Sequence, residues 1–326
     1  MRAALYCASV REPPYVLERL GTVMEPDPND AQEAWGVLNP AAARGRDGEL
    51  YLFPRLVAEG NFSRIGRARV LFEGDRPTGV ERLGVVLEPD ETWEQNEETG
   101  GGVEDPRITF VAELDTYVMA YAAYGPLGPR VALAASFDLE AWERLGPAQF
   151  APEPQAGVDT VTNKDAVLFP ELVLAPDGSP SYALLHRPTF GLPNEQPGIW
   201  VSFAAADGGV PIRFGQHRPV ARPAHEWEAA KIGAGPPPVR TADGWLVLHH
   251  GVSEQLVYSA GALVLDAGNV TRVVARSRAP LLAPETKGER EGIVENVVFP
   301  TAIDGEDVYY GMADARIGVA RLRRTD

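Results

Sequence analysis

Gly244-Trp245-Leu246-Val247-Leu248-His249-His250-Gly251-Val252, GWLVLHHGV, is an apolar run broken by a histidine pair, and its form recurs along the chain. Four further runs match it: ELYLFPRL from Glu49, TYVMAYAAY from Thr116, SYALLHRPT from Ser181 and DVYYGMADA from Asp307. Their starts are spaced by 67, 65, 63 and 63 residues, the signature of an internal repeat. A second set follows in phase: RIGRARVLF from Arg64, PRVALAASF from Pro129, GIWVSFAAA from Gly198, YSAGALVLD from Tyr258 and RIGVARL from Arg316. Pro40, Pro106, Pro170, Pro238 and Pro300 each open a short segment ahead of a run. In four of the five units an Asp-Gly pair (Asp47-Gly48, Asp177-Gly178, Asp243-Gly244, Asp304-Gly305) stands where a tight hairpin turn needs left-handed backbone.

Each unit therefore reads strand, turn, strand, link, strand. The 33 Gly and 29 Pro residues in 326 leave few windows long enough for a helix. A small antiparallel sheet with no helix to cover it must bury its faces on neighbouring copies. The expectation is an all-β chain, a five-bladed β-propeller forming one domain over residues 1–326, with roughly the first 35 residues as an extended lead-in. The competing reading is a β-sandwich whose spacing is coincidental.

Composition narrows the ligand. Lys and Arg number 30 against 46 Asp and Glu, a net charge of −16, which disfavours nucleic acid and anionic membrane. Cys7 is the single cysteine, so no intrachain disulfide can form. The N-terminus lacks the apolar core of a signal peptide and no stretch reaches the roughly 18 apolar residues of a membrane span. A cytoplasmic protein with a small ligand is expected, and a homo-oligomer is compatible with that.

In a ring, the first strands line an axial channel, and polar residues in phase converge there. The second strands are interrupted by Arg55, Tyr121, His186 with Arg187, His249 with His250, and Asp314. Charge inside a buried strand is costly unless it is paired or binds something. Strand alternation lets only one of His249 and His250 face the channel, and it separates Glu104 from Asp105 in GGVEDPRITF, Gly101 to Phe110. Arg64, Arg107, Arg130, Lys164 and Arg187 form a basic set within an anionic chain, which suggests an anionic ligand group such as phosphate. GAGPPP, from Gly233, is not followed by a helix and is no nucleotide cradle. His186, His250, Asp165 and Glu171 lack zinc-type spacing, so no metal is expected. His217 and His225 read as surface residues. Alternative surface pairings are Arg107 with Glu104 and Asp314 with Arg316.

GGVEDPRIT, NKDAVLFPE, ALLHRPT, GAGPPPVRTADGWLVLHHGV, YSAGALVLD, ENVVFPT and YYGMADARIGVAR, in this order from about Asn39 to Arg321, resemble glycoside hydrolase family 130, the β-mannoside phosphorylases and related β-mannosidases. The resemblance implies a five-bladed propeller and an inverting attack of inorganic phosphate on a non-reducing-end β-mannoside, giving α-mannose 1-phosphate. It implies no cofactor. Asp105 would be the general acid, acting through a mannose hydroxyl. Arg64, Arg130, Lys164 and His250 would hold phosphate, and Asn39, Arg55, Arg107, His186 and Asp314 would line the mannosyl pocket. An inverting hydrolase needs a second carboxylate as base, and Glu171 and Glu295 keep a β-mannosidase open as the alternative; a non-catalytic sugar-binding propeller is the third. His249 stands where the family usually has Tyr. The absence of a long helical extension ahead of the repeats favours β-1,2-linked over β-1,4-linked substrates.

Overall fold

The computed structural model describes residues 10–96, 100–153, 157–192 and 195–325. Cys7 lies outside the described residues. The chain is all-β, with one short α-helix, Lys287–Arg290, and a few 3₁₀ turns.

All ten runs read from the sequence are strands. In the first repeat, Gly36–Arg44 pairs antiparallel with Leu50–Ala58, which pairs with Phe62–Glu73. The same meander recurs as Gly101–Val111, Thr116–Gly125 and Gly128–Ser136, as Thr162–Leu168, Pro180–Thr189 and Ile199–Ala205, as Lys231–Ala234, Gly244–Val252 and Tyr258–Asp266, and as Val298–Asp304, Asp307–Met312 and Arg316–Arg324. The Asp-Gly pairs sit in the first hairpin turn of four repeats; in the second repeat, which lacks one, Asp115 takes the left-handed backbone at φ 47°.

Each meander also has a fourth, outer strand that hydropathy did not reveal: Arg76–Leu87, Glu143–Pro147, Arg213–Ala221, Asn269–Arg276, and, for the last repeat, Tyr15–Met24 from the N-terminus. These strands are largely exposed or half-buried and lack an apolar signal. Tyr15–Met24 corrects the expected lead-in: it pairs antiparallel with Arg316–Arg324 and completes the C-terminal sheet. Hydrogen bonds group the strands into sheets of eight, six, five and four. The eight-stranded sheet is two meanders joined by a short parallel bridge, Phe62 to Gly101 and Ser63 to Gly102.

The core lies between repeats. Five apolar clusters join the first repeat to the second (Phe53, Met119), the second to the third (Leu133, Leu184), the third to the fourth (Val201, Trp245), the fourth to the fifth (Leu248, Val308) and the fifth back to the first (Tyr309, Leu52). Alternation explains this: Trp245 and Val247 face the third repeat while Leu246 and Leu248 face the fifth. A buried Glu also recurs in the connections between repeats. Glu33, Glu94, Glu228 and Glu289 each accept backbone N–H bonds from their own loop and a bond from an outer-strand Arg: Arg82, Arg144, Arg276 and Arg19.

Candidate active site

Three inner strands carry a β-bulge at the same depth, between Leu38 and Ala41, Glu104 and Arg107, and Lys164 and Val167. At each bulge a short polar residue adopts left-handed backbone: Asn39 at φ 42°, Asp105 at 47° and Asp165 at 54°. Asn and Asp tolerate that conformation better than other non-glycine residues. Pro40 and Pro106 follow at the bulge, where a missing N–H costs the ladder least. Pro170 and Pro238, in contrast, lie outside strands, so Asp165-Ala166 and not Phe169-Pro170 is the true counterpart of Asp105-Pro106.

The bulges turn these side chains into one cavity of about 110 Å³, lined by Asn39, Arg55, Asp105, Lys164, Asp165, Arg187, Lys231, His250, Tyr258, Phe299 and Asp314. All five repeats contribute. One wall is built around Asp105: Asn39 Nδ2 donates to its Oδ1 at 2.8 Å and Arg55 Nη1 lies 3.3 Å from the same atom. Arg55 Nη2 also donates to Glu104 at 2.7 Å. Alternation would have parted Glu104 from Asp105, but the left-handed residue breaks it and both carboxylates meet Arg55. Asn39 Oδ1 is buried with no hydrogen-bond partner among the described residues.

The opposite wall is cationic. Arg187 Nε donates to Asp165 Oδ2 at 2.5 Å, and His250 Nε2 lies 3.5 Å from that oxygen, its ring against Phe299 at 4.3 Å. Gly233 leaves this contact room, since a Cβ there would fall 2.3 Å from Asp165 Oδ2. Lys231 sits over the Tyr258 ring at 5.2 Å, and neither it nor Lys164 has an ion pair among the described residues.

Electrostatics separates the carboxylates. Burial opposes ionisation of Asp105, yet Arg55, Arg107 and Lys164 outweigh it and hold the acid below its ordinary range. Asp165 is likewise held far down, against burial, by Arg187 and His250. Asp314 is pushed up to about 6 by burial, with Arg55 opposing and Asp105 adding to the rise. Burial keeps His250 neutral and lowers Lys231.

Of the residues singled out in the sequence, Asn39, Arg55, Asp105, Lys164, His250 and Asp314 line this cavity. Arg107 lies beneath it, fully buried, donating to Asp105 O at 2.6 Å and to Gly235 O at 3.3 Å, so it ties the second repeat to the fourth. It does not pair with Glu104, and Arg316 turns to Gly288 O rather than to Asp314. Arg64 faces Glu88 at 3.5 Å, and Arg130 donates to Pro129 O at 3.1 Å; neither lines the cavity. His186 does not reach it either. Its neighbour Arg187 takes the cavity face, and His186 points to the other side of the strand. His217, expected at the surface, is buried beside it. Glu171 and Glu295 are exposed and outside the cavity. Arg187, read in the sequence as one of a basic set for an anionic group, also lines the cavity; sequence reasoning passed over Lys231 and Tyr258 and weighed Asp165 only as a metal ligand, and aligning on bulge residues in place of prolines would have found Asp165.

The antiparallel meanders thus bring carboxylates and cations face to face in one polar cavity suited to a polar, anionic ligand. The family model described as β-1,4-mannooligosaccharide phosphorylase matches residues 15–325, and the chain belongs to glycoside hydrolase family 130. It is 36% identical over 233 residues to a 1,2-β-oligomannan phosphorylase of Thermoanaerobacter sp. (strain X514), covering 69% of each chain. It is 35% identical to a β-1,2-mannobiose phosphorylase of the same organism over 243 residues, 72% of this chain and 69% of that one. The solved β-1,2-mannobiose phosphorylase from Listeria innocua superposes with a TM-score of 0.74 at 24% identity, covering 95% of this chain and 96% of that one, and so shares its fold.

Proposed function

We propose that this protein is an inverting mannoside phosphorylase: inorganic phosphate attacks a non-reducing-end β-mannoside, β-1,2-linked by analogy with the two relatives, and releases α-mannose 1-phosphate. The repeats are read as five blades of a single-domain propeller, a reading supported by five inter-repeat clusters that run from first to fifth and back, and by Tyr15–Met24 completing the last sheet.

The observation that carries the reaction class is the composition of the cavity. Four cations line it, Arg55, Lys164, Arg187 and Lys231, in a chain of net charge −16, and while Arg55 and Arg187 are paired with carboxylates, Lys164 and Lys231 have no ion pair among the described residues. A hydrolase of inverting type needs a carboxylate free to activate water opposite the acid. Asp165 is committed to Arg187, Asp314 lies on the same wall as Asp105, beside Arg55, rather than opposite it, and Glu171 and Glu295 are exposed outside the cavity. Phosphate needs no base, since it arrives anionic, and Lys164, Arg187, Lys231 and His250 form a fitting seat. Arg64 and Arg130, expected in that seat, keep at most an outlying part in the proposal.

Asn39, Arg55 and Asp314 hold the mannosyl hydroxyls on the other wall, with Arg107 bracing Asp105 from below. Asp105 is the proton donor. In the free cavity it is held ionised, so it takes up its proton as phosphate offsets the positive field of Lys164. The proton released as phosphate becomes the ester balances the one delivered to the leaving oxygen. The proposal includes a cytoplasmic setting; among the described residues no helix is long and apolar enough to cross a membrane.

Incubation with β-1,2-mannobiose with and without phosphate tests this. Mannose 1-phosphate formed only in its presence is expected. Free mannose released at equal rates in both would establish the hydrolase instead.

A further inference from the structure

His186, Ser202 and His217 form a buried line behind the cationic wall. His217 Nε2 lies 2.9 Å from Ala151 O, His217 Nδ1 lies 2.7 Å from Ser202 Oγ, Ser202 Oγ lies 2.7 Å from His186 Nε2, and His186 Nδ1 lies 3.0 Å from Asn163 Nδ2. Asn163, His186, Ser202 and His217 are all at most 2% exposed, and the Phe150 ring packs on His186 at 4.8 Å and His217 at 5.9 Å.

With both imidazoles neutral, the direction of every bond follows from one fact: a carbonyl oxygen only accepts. His217 Nε2–H donates to Ala151 O, which leaves Nδ1 bare to accept from the Ser202 hydroxyl. Ser202 Oγ then accepts from His186 Nε2–H, and His186 Nδ1 accepts from the Asn163 amide. Neutral rings suit the site, because burial pushes His186 down to about 3, with His217 adding to the fall.

The placement links this line to the cavity. Asn163 precedes Lys164 and His186 precedes Arg187, and Lys164 and Arg187 are directly paired across the antiparallel ladder. Strand alternation puts Lys164 and Arg187 on the cavity side and Asn163 and His186 on the reverse side of the same two strands. The bulge immediately after Lys164 ends the regular ladder there, and the reverse-face bond between Asn163 and His186 adds a side-chain tie between the two strands at that point.

We propose that the Asn163–His186–Ser202–His217 line is a positioning network that holds Lys164 and Arg187 at the spacing phosphate requires. The inference rests on the reading of the cationic wall as the phosphate seat. Ser202→Ala breaks the line at its centre. KM for phosphate should rise about five-fold, the loss of one net hydrogen bond, while kcat at saturating phosphate stays within about two-fold. Ser202→Thr restores the hydroxyl and should recover most of the affinity. A purely structural role would lower the melting temperature and leave KM per folded enzyme unchanged, and that result overturns the proposal. If Ser202→Ala does not fold, His217→Asn keeps an acceptor for Ser202 but loses the anchor on Ala151 O, and the same rise in KM decides. Melting shifts of the wild type with inorganic phosphate separate the two layers. A wild type that phosphate does not stabilise removes the seat and this network's role with it; equal stabilisation of wild type and Ser202→Ala refutes the network alone.

Discussion

Replacing Asp105 by Asn removes the proposed proton donor and little else. The residue sits at φ 47°, a backbone conformation that Asn adopts as readily as Asp. An amide oxygen at the Oδ1 position can still accept from Asn39 Nδ2, now at 2.8 Å, and from Arg55 Nη1, now at 3.3 Å. Arg55 also keeps its 2.7 Å bond to Glu104, so no guanidinium is stranded. Burial already opposes the Asp105 charge, and its loss relieves that cost while forfeiting the attraction of Arg55, Arg107 and Lys164. The two terms offset, and stability should change by less than about 2 kcal/mol. Activity should fall far more. A positioned general acid contributes about 10²–10⁴ in rate, so a loss of about 10³, or ~4 kcal/mol of barrier, is expected in kcat/KM. The assay is the initial rate of mannose 1-phosphate release from β-1,2-mannobiose at saturating phosphate, beside circular dichroism to verify the fold. An aryl mannoside whose leaving group needs little protonation should lose much less. A folded Asp105→Asn enzyme within about tenfold of wild type on the disaccharide would refute the assignment.

Lys231→Met removes an unpaired cation from the proposed phosphate seat; KM for phosphate should rise about ten-fold or more, the scale of a charge-assisted bond, and an unchanged KM would remove Lys231 from that seat. Asp314→Asn should change the pH dependence of stability. The folded protein raises this carboxyl from 3.8 to about 6, so it binds the proton more tightly than the unfolded chain and stability falls as pH rises between those values. The substitution abolishes that fall, worth about 3 kcal/mol, and urea denaturation should show the variant gaining on wild type from pH 4 to pH 7. A parallel pair of curves would contradict it. Glu228→Gln leaves Arg276 without its buried partner and should cost about 3–5 kcal/mol. Glu153→Gln serves as the contrast: its carboxylate is 32% exposed and 3.9 Å from Arg218, and its loss should cost under about 1 kcal/mol by the same denaturation. Equal losses would show that the buried Glu and Arg pairs are not what secures the connections.

Much of the architecture is legible along the chain because it is periodic. Residues on both faces of a second strand such as Gly244–Val252 are buried between repeats, so each run is almost wholly apolar and stands out at a constant interval. Asp-Gly turns mark the hairpins for a local reason, the need for left-handed backbone. Outer strands carry no such mark. Arg76–Leu87 faces solvent along most of its length, and Tyr15–Met24 finds its partner about 300 residues away, a pairing that no local pattern encodes.

The site divides in the same way. Charge in a buried repeat strand must have a use, and that brought Arg55, Lys164, Arg187, His250 and Asp314 under suspicion from the sequence; the resemblance to family 130 added Asn39 and gave Asp105 its role as the acid. Only the tertiary structure decided which neighbour of an adjacent pair faces the axis. His250 and Arg187 look inward, while His249 bonds to Glu228 at 3.3 Å and His186 to Ser202 at 2.7 Å on the far side. It also showed that Glu104 and Asp105 share Arg55. For Glu104 and Asp105 the physical reason is the bulge, where a single left-handed residue shifts the two-residue alternation by one; for His250 and Arg187, on strands of unbroken alternation, it is which face of the strand the packing of neighbouring repeats turns toward the cavity, and no order of residues within one repeat records that.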